Sequence, residues 1–194
     1  MTAGKQPIAA GDDPAADGDA GTGLASRILA RVRDVPDFPT PGIMFKDITP
    51  LLADVALFHE VVLALGVVEG GPVDVVAGIE ARGFILAAPV AYAVGAAFVP
   101  IRKRGKLPHT TVSAEYALEY GTAGIELHTD AVQPGQRVLL VDDVLATGGT
   151  AAAAADLIEQ LGGTVVQVTV LMELDFLSGR SRLSGRQVRS LVAI

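Results

Sequence analysis

The sequence contains no cysteine and no tryptophan, and aromatic residues make up only 5% of its 194 positions. The lack of cysteine excludes disulfides, thiolate metal ligands and a cysteine nucleophile. Apolar runs of about 18–20 residues are also missing, so no membrane span is expected. The first residues lack a basic start followed by an apolar core, so they do not predict a secretory signal. These absences favour a cytoplasmic location.

Positive charge is scarce, because 15 Lys and Arg face 22 Asp and Glu and leave a formal net charge of -7. This balance disfavours nucleic-acid binding, which requires a basic face. The cations are nevertheless concentrated at one place, since Arg102, Lys103, Arg104 and Lys106 lie almost side by side. In an acidic protein such a cluster indicates a local anion site.

The length fits one domain that can bury a core. Residues 1–23, rich in Gly, Ala, Asp and Pro, are predicted to be a disordered tail before a single domain over 24–194. Alternating strands and helices predict an α/β fold with a mostly parallel central sheet flanked by helices. The predicted helices are residues 24–35, 54–69, 82–95 and 149–162, with a short one near 177–183. The predicted strands are residues 73–78, 97–101, 115–120, 124–128, 137–142, 164–174 and 187–192.

The most informative segment reads VLLVDDVLATGGT and spans residues 138–150. An apolar strand ends at Asp142 and Asp143, and a Gly/Thr loop then leads into a helix. Ligands bind at the carboxyl ends of strands in such sheets, and the backbone N–H groups of a glycine-rich turn at a helix start suit a phosphate. The predicted phosphate loop consists of Ala146, Thr147, Gly148, Gly149 and Thr150.

The two aspartates need a different role, because carboxylates repel phosphate. They are suited to accept hydrogen bonds from two neighbouring hydroxyls, such as those of a ribose. The segment is neither a Walker A loop nor G-x-G-x-x-G. It therefore predicts a ribose 5-phosphate site, with a tight turn bearing surface aspartates as the alternative. It resembles the phosphoribosyl pyrophosphate (PRPP) motif of the type I phosphoribosyltransferases.

Two further segments provide cations for a leaving pyrophosphate. Arg82 follows the 73–78 strand and can reach the same crevice; the alternative is a surface ion pair. Residues 102–114 form a polar segment without an apolar pattern, and loops of this length are often lids. A lid carrying Lys103 and Lys106 could close over pyrophosphate and exclude water. The alternative there is a solvated basic loop.

Several collinear motifs resemble adenine phosphoribosyltransferases over roughly residues 26–185. They are DFPxPGxxFxDIxP from Asp37, EARGF from Glu80, RKxGKLP from Arg102, LEYG from Leu118 and VDDVLATGGT from Val141, with Glu173-Leu174. The resemblance implies a type I phosphoribosyltransferase fold with a small hood (about residues 24–50) and a flexible lid and β-hairpin (about 102–128). It also implies a homodimer that uses Mg²⁺, held mainly through PRPP, to convert adenine and PRPP into AMP and pyrophosphate in purine salvage.

The resemblance also implies residue roles. Phe45 would stack on adenine, backbone groups of Met44 would pair with its amino edge, and Lys46 would complete the adenine site. Lys46 stands where relatives often carry Arg, so a bidentate contact is not expected there. Glu119 would give acid/base help at the imidazole nitrogen opposite the attacking one, with Tyr120 near the reaction centre. The implied catalytic residues are Glu119, Tyr120, Arg82 and Lys106.

Other functions fit parts of the pattern. The acceptor could be another purine or a pyrimidine. A regulator could bind PRPP without reacting, although no DNA-binding helix-turn-helix precedes the domain. A generic flavodoxin-like nucleotide binder would leave the aspartate pair and the basic segment without a role.

Overall fold

The structure is a computed structural model that describes residues 23–117 and 122–194. The predicted tail lies almost wholly outside these residues, as do Glu119 and Tyr120. The helices are α1 (Leu24–Arg31), α2 (Thr49–Leu52), α3 (Val55–Leu65), α4 (Arg82–Val94) and α5 (Gly149–Gln160). The strands are β1 (Arg33–Pro36), β2 (Met44–Asp47), β3 (Val75–Ile79), β4 (Ala97–Lys103), β5 (Thr111–Ala117), β6 (Thr122–His128), β7 (Arg137–Leu145), β8 (Thr164–Glu173) and β9 (Val188–Ala193).

The main sheet has seven strands in the order β5-β6-β4-β3-β7-β8-β9. The five neighbouring strands β4, β3, β7, β8 and β9 are parallel to one another. The β5–β6 hairpin adds an antiparallel edge beside β4. This confirms the predicted mostly parallel sheet. All five residues of β3 are buried, as expected of a strand covered on both faces.

Two apolar clusters occupy the two faces of the sheet. One lies under α5, where Ala154, Leu157 and Ile158 pack on residues of β7 and β8. The other lies under α1, α3 and α4 and includes Leu65 and Leu86. Asp54 caps α3 by accepting a hydrogen bond from the Leu57 backbone N–H (3.1 Å), which confirms the predicted helix start.

The predicted helix over residues 24–35 is too long. It ends at Arg31, and β1 follows and pairs antiparallel with β2, so Phe45 lies in a strand that is absent from the predicted set. The reason is long-range pairing: Asp34 lies opposite Lys46 and Val35 opposite Phe45 in a register that no local pattern reveals. This two-stranded sheet lies within the predicted hood.

The irregular segment predicted over residues 102–114 is also too long. Its last residues belong to β5, which pairs with β6 from Thr111 onwards. Val112, Ala114 and Tyr116 alternate along this strand and pack against the core under α5. The predicted short helix near 177–183 is instead two 3₁₀ turns, Asp175–Leu177 and Gly179–Leu183.

No helix within the described ranges is long and apolar enough to cross a membrane.

Candidate active site

A cavity of about 530 Å³ opens at the carboxyl ends of the central strands. Asp142 and Asp143 of β7 lie on one side and Met44, Phe45 and Lys46 of β2 on the other. The remaining lining residues are Ile43, Ile79, Glu80, Ala81, Arg82, Tyr116, Val144, Ala146, Thr150 and Leu174. The cavity thus brings together residues that the sequence predicted for ribose, base and pyrophosphate.

The phosphate loop forms a smaller cavity beside the first. It has about 70 Å³ and is lined by Thr147, Gly148 and Gly149, among others. Asp142, Ala146 and Thr150 line both cavities, so the two are contiguous. The loop leads into α5 at Gly149, where unpaired N–H groups of the first turn and the positive end of the helix dipole favour an anion.

Arg82, at the start of α4, links the two walls of the large cavity. Its Nε lies 2.8 Å from Asp143 Oδ2, and its guanidinium carbon lies 4.7 Å from the centre of the Phe45 ring. Its Nη1 donates to the Lys46 carbonyl (3.2 Å). The guanidinium of Arg82 therefore makes an ion pair with Asp143 and a cation–π contact with Phe45 at the same time.

Asp143 is 5% exposed, and its Oδ2 has no hydrogen-bond partner in the described parts of the chain. The nearby Arg82 Nε provides charge without hydrogen-bond alignment. Buried polar atoms are normally hydrogen-bonded, so a carboxylate oxygen in this state at a cavity wall can accept from a ligand hydroxyl.

Burial raises the pKa of Asp142 well above its ordinary value, and the neighbouring charge of Asp143 raises it further. Burial also raises the pKa of Asp143, while the Arg82 guanidinium opposes the rise. Asp142 Oδ1 accepts a hydrogen bond from the Asp143 N–H (2.9 Å) and lies close to Gly83, where an added Cβ would be 2.7 Å away. Glycine at position 83 thus lets the start of α4 approach the aspartate.

These shifts predict a pH-dependent gain in stability for Asp142→Asn. A carboxyl group whose pKa is raised by folding opposes folding once it is ionised, and this cost grows as pH rises from the unfolded pKa to the folded one. The variant should therefore unfold at higher urea concentration than the parent near neutral pH, with the difference shrinking towards acid. Each unit of pKa difference corresponds to about 1.4 kcal/mol. A constant difference in free energy of unfolding across the pH range would contradict the shift.

The basic segment is fixed through its backbone. Glu80 accepts from the Lys103 N–H (3.0 Å) and the Arg102 Nε (3.2 Å). Burial opposes its ionisation, but these donors outweigh burial and hold the pKa of Glu80 below its ordinary value. Buried Glu126 accepts in the same way from the N–H groups of Lys106 (2.8 Å) and Leu107 (2.7 Å). Sequence reasoning gave neither glutamate a role, although Glu80 begins the EARGF motif, because each role depends on a partner distant in the sequence.

The cations predicted to bind pyrophosphate do not all lie in the cavity. Arg82 lines the cavity, whereas Lys103 and Lys106 lie on the strand end and turn beside it and are not among its lining residues. Lys46 lines the cavity, but its Nζ pairs with Asp34 Oδ1 at 2.7 Å. Tyr116 and Leu174 also line the cavity, although the sequence analysis assigned neither of them to the site.

Comparison with known proteins agrees with this geometry. The fold and the site define a phosphoribosyltransferase: residues 63–188 match the family model described as a phosphoribosyl transferase domain. An adenine phosphoribosyltransferase from Acidothermus cellulolyticus is 61% identical over 172 residues, which are 88% of this chain and 97% of that protein. The chain belongs to the adenine phosphoribosyltransferase family.

Solved structures give the same result. The crystal structure of adenine phosphoribosyltransferase from Thermoanaerobacter pseudethanolicus superimposes with a TM-score of 0.85 and 51% identity, covering 89% of this chain and 100% of that one. The Saccharomyces cerevisiae enzyme, solved in complex with an imino-altritol 1,6-bisphosphate and adenine, gives a TM-score of 0.80 and 39% identity over 85% of this chain and 96% of that one.

Proposed function

We propose that this protein transfers the 5-phosphoribosyl group from PRPP to N9 of adenine, giving AMP and pyrophosphate in purine salvage. The observation that carries the proposal is the contiguous pair of cavities. One end has a helix N-terminus with a glycine-rich loop, the middle has the Asp142–Asp143 pair, and the far wall has an aromatic ring at Phe45. Phosphate, ribose and base follow one another in the same order.

The ribose 5-phosphate part would be held by β7 and the loop after it. Backbone N–H groups and hydroxyls of residues 146–150 would donate to the phosphate. The carboxylates of Asp142 and Asp143 would accept from the 2′ and 3′ hydroxyls. Asp143 Oδ2 supports this assignment, because it is paired with the charge of Arg82 but accepts no hydrogen bond within the described residues and can accept one from a ribose hydroxyl.

The pyrophosphate leaves as the anomeric carbon gains oxocarbenium character, so negative charge develops at the leaving group. Arg82 lines the cavity and can stabilise this charge, whereas the other lining cation, Lys46, has its Nζ paired with Asp34. In the free site this guanidinium is shared by Asp143 and Phe45. Ribose hydroxyls at Asp143 would compete for that carboxylate and leave the guanidinium available to pyrophosphate. Lys103 and Lys106, on the strand end and turn beside the cavity, would add positive charge near it.

Magnesium is the proposed cofactor. Mg²⁺ prefers oxygen ligands and usually binds through one or two carboxylates together with substrate phosphates. The ion would be held mainly through the oxygens of PRPP, because Asp142 and Asp143, which line the same cavity, are assigned to the ribose hydroxyls. When bound, the ion would offset the charge that gathers on the leaving group.

Adenine would stack on Phe45. The ring is half-buried and is fixed by an edge contact with Phe38, whose centroid lies 5.0 Å away. Backbone groups of Met44 would pair with the amino edge of the base and reject bases that carry an oxo group there. Glu119 is proposed to assist proton transfer at N7, and Tyr120 to approach the reaction centre; both lie outside the described residues.

Phe45→Ala should raise KM for adenine about ten-fold or more, because base–aromatic stacking contributes about 1–3 kcal/mol. KM for PRPP should change little, since the phosphate and ribose contacts are elsewhere. Initial-rate kinetics with each substrate varied would measure both. The matched control is Phe176→Ala, which removes an exposed ring outside the cavity lining. Equal rises in both KM values would count against a base-binding role.

We also propose a homodimer and locate its interface on α3 and α4. An apolar groove of about 550 Å³ runs between these helices. At its rim Tyr92 is 90% exposed and Val55 is 85% exposed. A twofold axis would bring this surface against the same surface of a second copy and bury its exposed apolar side chains.

Tyr92→Glu should convert the dimer into a monomer at micromolar concentration, because it places a charge in the apolar interface. Sedimentation velocity would show the change. Phe176→Glu changes another largely exposed ring, outside this groove, and should leave the dimer intact. A Tyr92→Glu protein that stays dimeric would place the interface on another surface.

A further inference from the structure

The phosphate loop is pressed against another backbone segment. Gly148 has a φ of +78°, and a Cβ added to it would lie 2.2 Å from the Gly179 carbonyl oxygen. A Cβ added to Gly179 would lie 2.2 Å from the Ala146 carbonyl oxygen. Two stretches of main chain therefore touch with no side chain between them. One face of the loop is directed to the phosphate cavity, and Gly179 supports the loop from behind.

Gly179 begins the short 3₁₀ turn Gly179–Leu183. Such turns have poor hydrogen-bond geometry and little stability of their own. Something else must hold Gly179 in place. The last residue of the turn, Leu183, is buried in the core and is only 1% exposed. The start of the turn is held by the side chain of Arg180.

Arg180 makes an unusually complete set of contacts. Its Nε donates to both carboxylate oxygens of Glu173, at 2.7 and 2.8 Å. Its Nη1 donates to the Val188 carbonyl (2.7 Å) and its Nη2 to Ser190 Oγ (3.1 Å). Ser190 Oγ in turn donates to Glu173 Oε2 (3.0 Å). The turn is therefore bound to the last two strands of the sheet.

Glu173 ends β8 and is 3% exposed. It is one residue before Leu174, which lines the large cavity, but Glu173 itself is not among the lining residues. A carboxylate this deeply buried requires a charged partner, and a planar guanidinium provides more donors than an ammonium. Without Arg180 the buried charge would be left with the Ser190 hydroxyl, and the turn would lose its anchor.

We propose that Arg180 is a positioning residue for 5-phosphate binding. Anchored on Glu173, it holds the Gly179 backbone against residues 146–148 and keeps the loop N–H groups preorganised for the phosphate. A loop that has to be ordered by its ligand spends binding energy on that ordering, and a supported loop does not. The inference rests on the proposed function of residues 146–150 as the phosphate site.

The test compares Arg180→Ala, Arg180→Lys and the parent protein. Arg180→Ala should raise KM for PRPP about ten-fold, weaken ribose 5-phosphate binding by a similar factor, and leave KM for adenine within about two-fold. Arg180→Lys should fall between the two, because it keeps the charge but not the fork. Arg27→Ala, which breaks an exposed Arg–Glu pair between α1 and α3, should change none of these constants.

A general structural role would look different. Arg180→Ala would then raise both KM values together or change neither, and either result would overturn the proposal. If Arg180→Ala does not fold, Gly179→Ala tests the same contact from the other side, since its methyl group meets the Ala146 carbonyl. Unchanged binding of ribose 5-phosphate by Gly179→Ala would also overturn it.

Failure of the proposed function can be recognised separately. A parent protein that makes no AMP from adenine and PRPP refutes the reaction. Calorimetric binding of ribose 5-phosphate to the parent and the variants still tests the supporting role of Arg180.

Discussion

Asp143→Ala is expected to reduce kcat/KM by about 10³-fold, because it removes the charge-assisted hydrogen bond to a ribose hydroxyl and the carboxylate that positions Arg82 in the free site. Each hydrogen bond to a charged group contributes about 1.5–3 kcal/mol, so the two losses together account for the size of the effect. The fold should stay intact. The folded state raises the pKa of this carboxyl, so its removal takes away a group that opposes folding when ionised.

The measurement is steady-state turnover together with the melting temperature of the same preparation. Asp130→Ala is the matched control, because Asp130 is exposed and uses only its backbone carbonyl in the hydrogen bond it accepts. Asp143→Ala with kcat/KM within ten-fold of the parent would remove Asp143 from the site.

Gly148→Val should abolish detectable turnover by disrupting the phosphate loop. The left-handed backbone at this position disfavours a β-branched residue, and the new Cβ would collide with the Gly179 carbonyl 2.2 Å away. The collision is with main chain on a supported turn, so the loop has to move. Binding of ribose 5-phosphate, measured by calorimetry, should be lost with turnover.

Gly185→Val is the control that distinguishes the effect of steric collision at Gly148 from the effect of backbone strain alone. Gly185 also has a left-handed φ (+83°), but an added Cβ would meet no atom within 4 Å. That variant should lose roughly 1–2 kcal/mol of stability, as a left-handed residue other than glycine does, and keep its activity. Retention of ribose 5-phosphate binding by Gly148→Val would show that the loop does not bind the phosphate.

The sequence predicted the parts of this protein that depend on local patterns. The buried strand before Asp142, the glycine-rich turn after it and the capping aspartate at position 54 each have a signature within a few residues. Alternation of apolar and polar residues also marks Val112, Ala114 and Tyr116 as a strand, and a search for period two would have placed the start of β5 correctly.

Features that depend on distant partners could not be predicted in this way. The pairing of β1 with β2 places Phe45 in a strand, and this pairing is fixed by register between segments about ten residues apart. The Arg82 contacts with Asp143 and Phe45, the Lys46–Asp34 pair and the Gly148–Gly179 approach all join positions whose proximity follows only from the assembled sheet.

The measurement that tests the central claim most directly is formation of AMP from adenine and PRPP with Mg²⁺, with hypoxanthine and guanine as competing bases. The account predicts AMP as the product, weak competition by the other two bases, and loss of activity when EDTA removes the metal. Saturable PRPP binding without any product would contradict it and favour a regulator. Product formed only with another base would preserve the phosphate and ribose sites and overturn the roles given to Met44, Phe45 and Glu119.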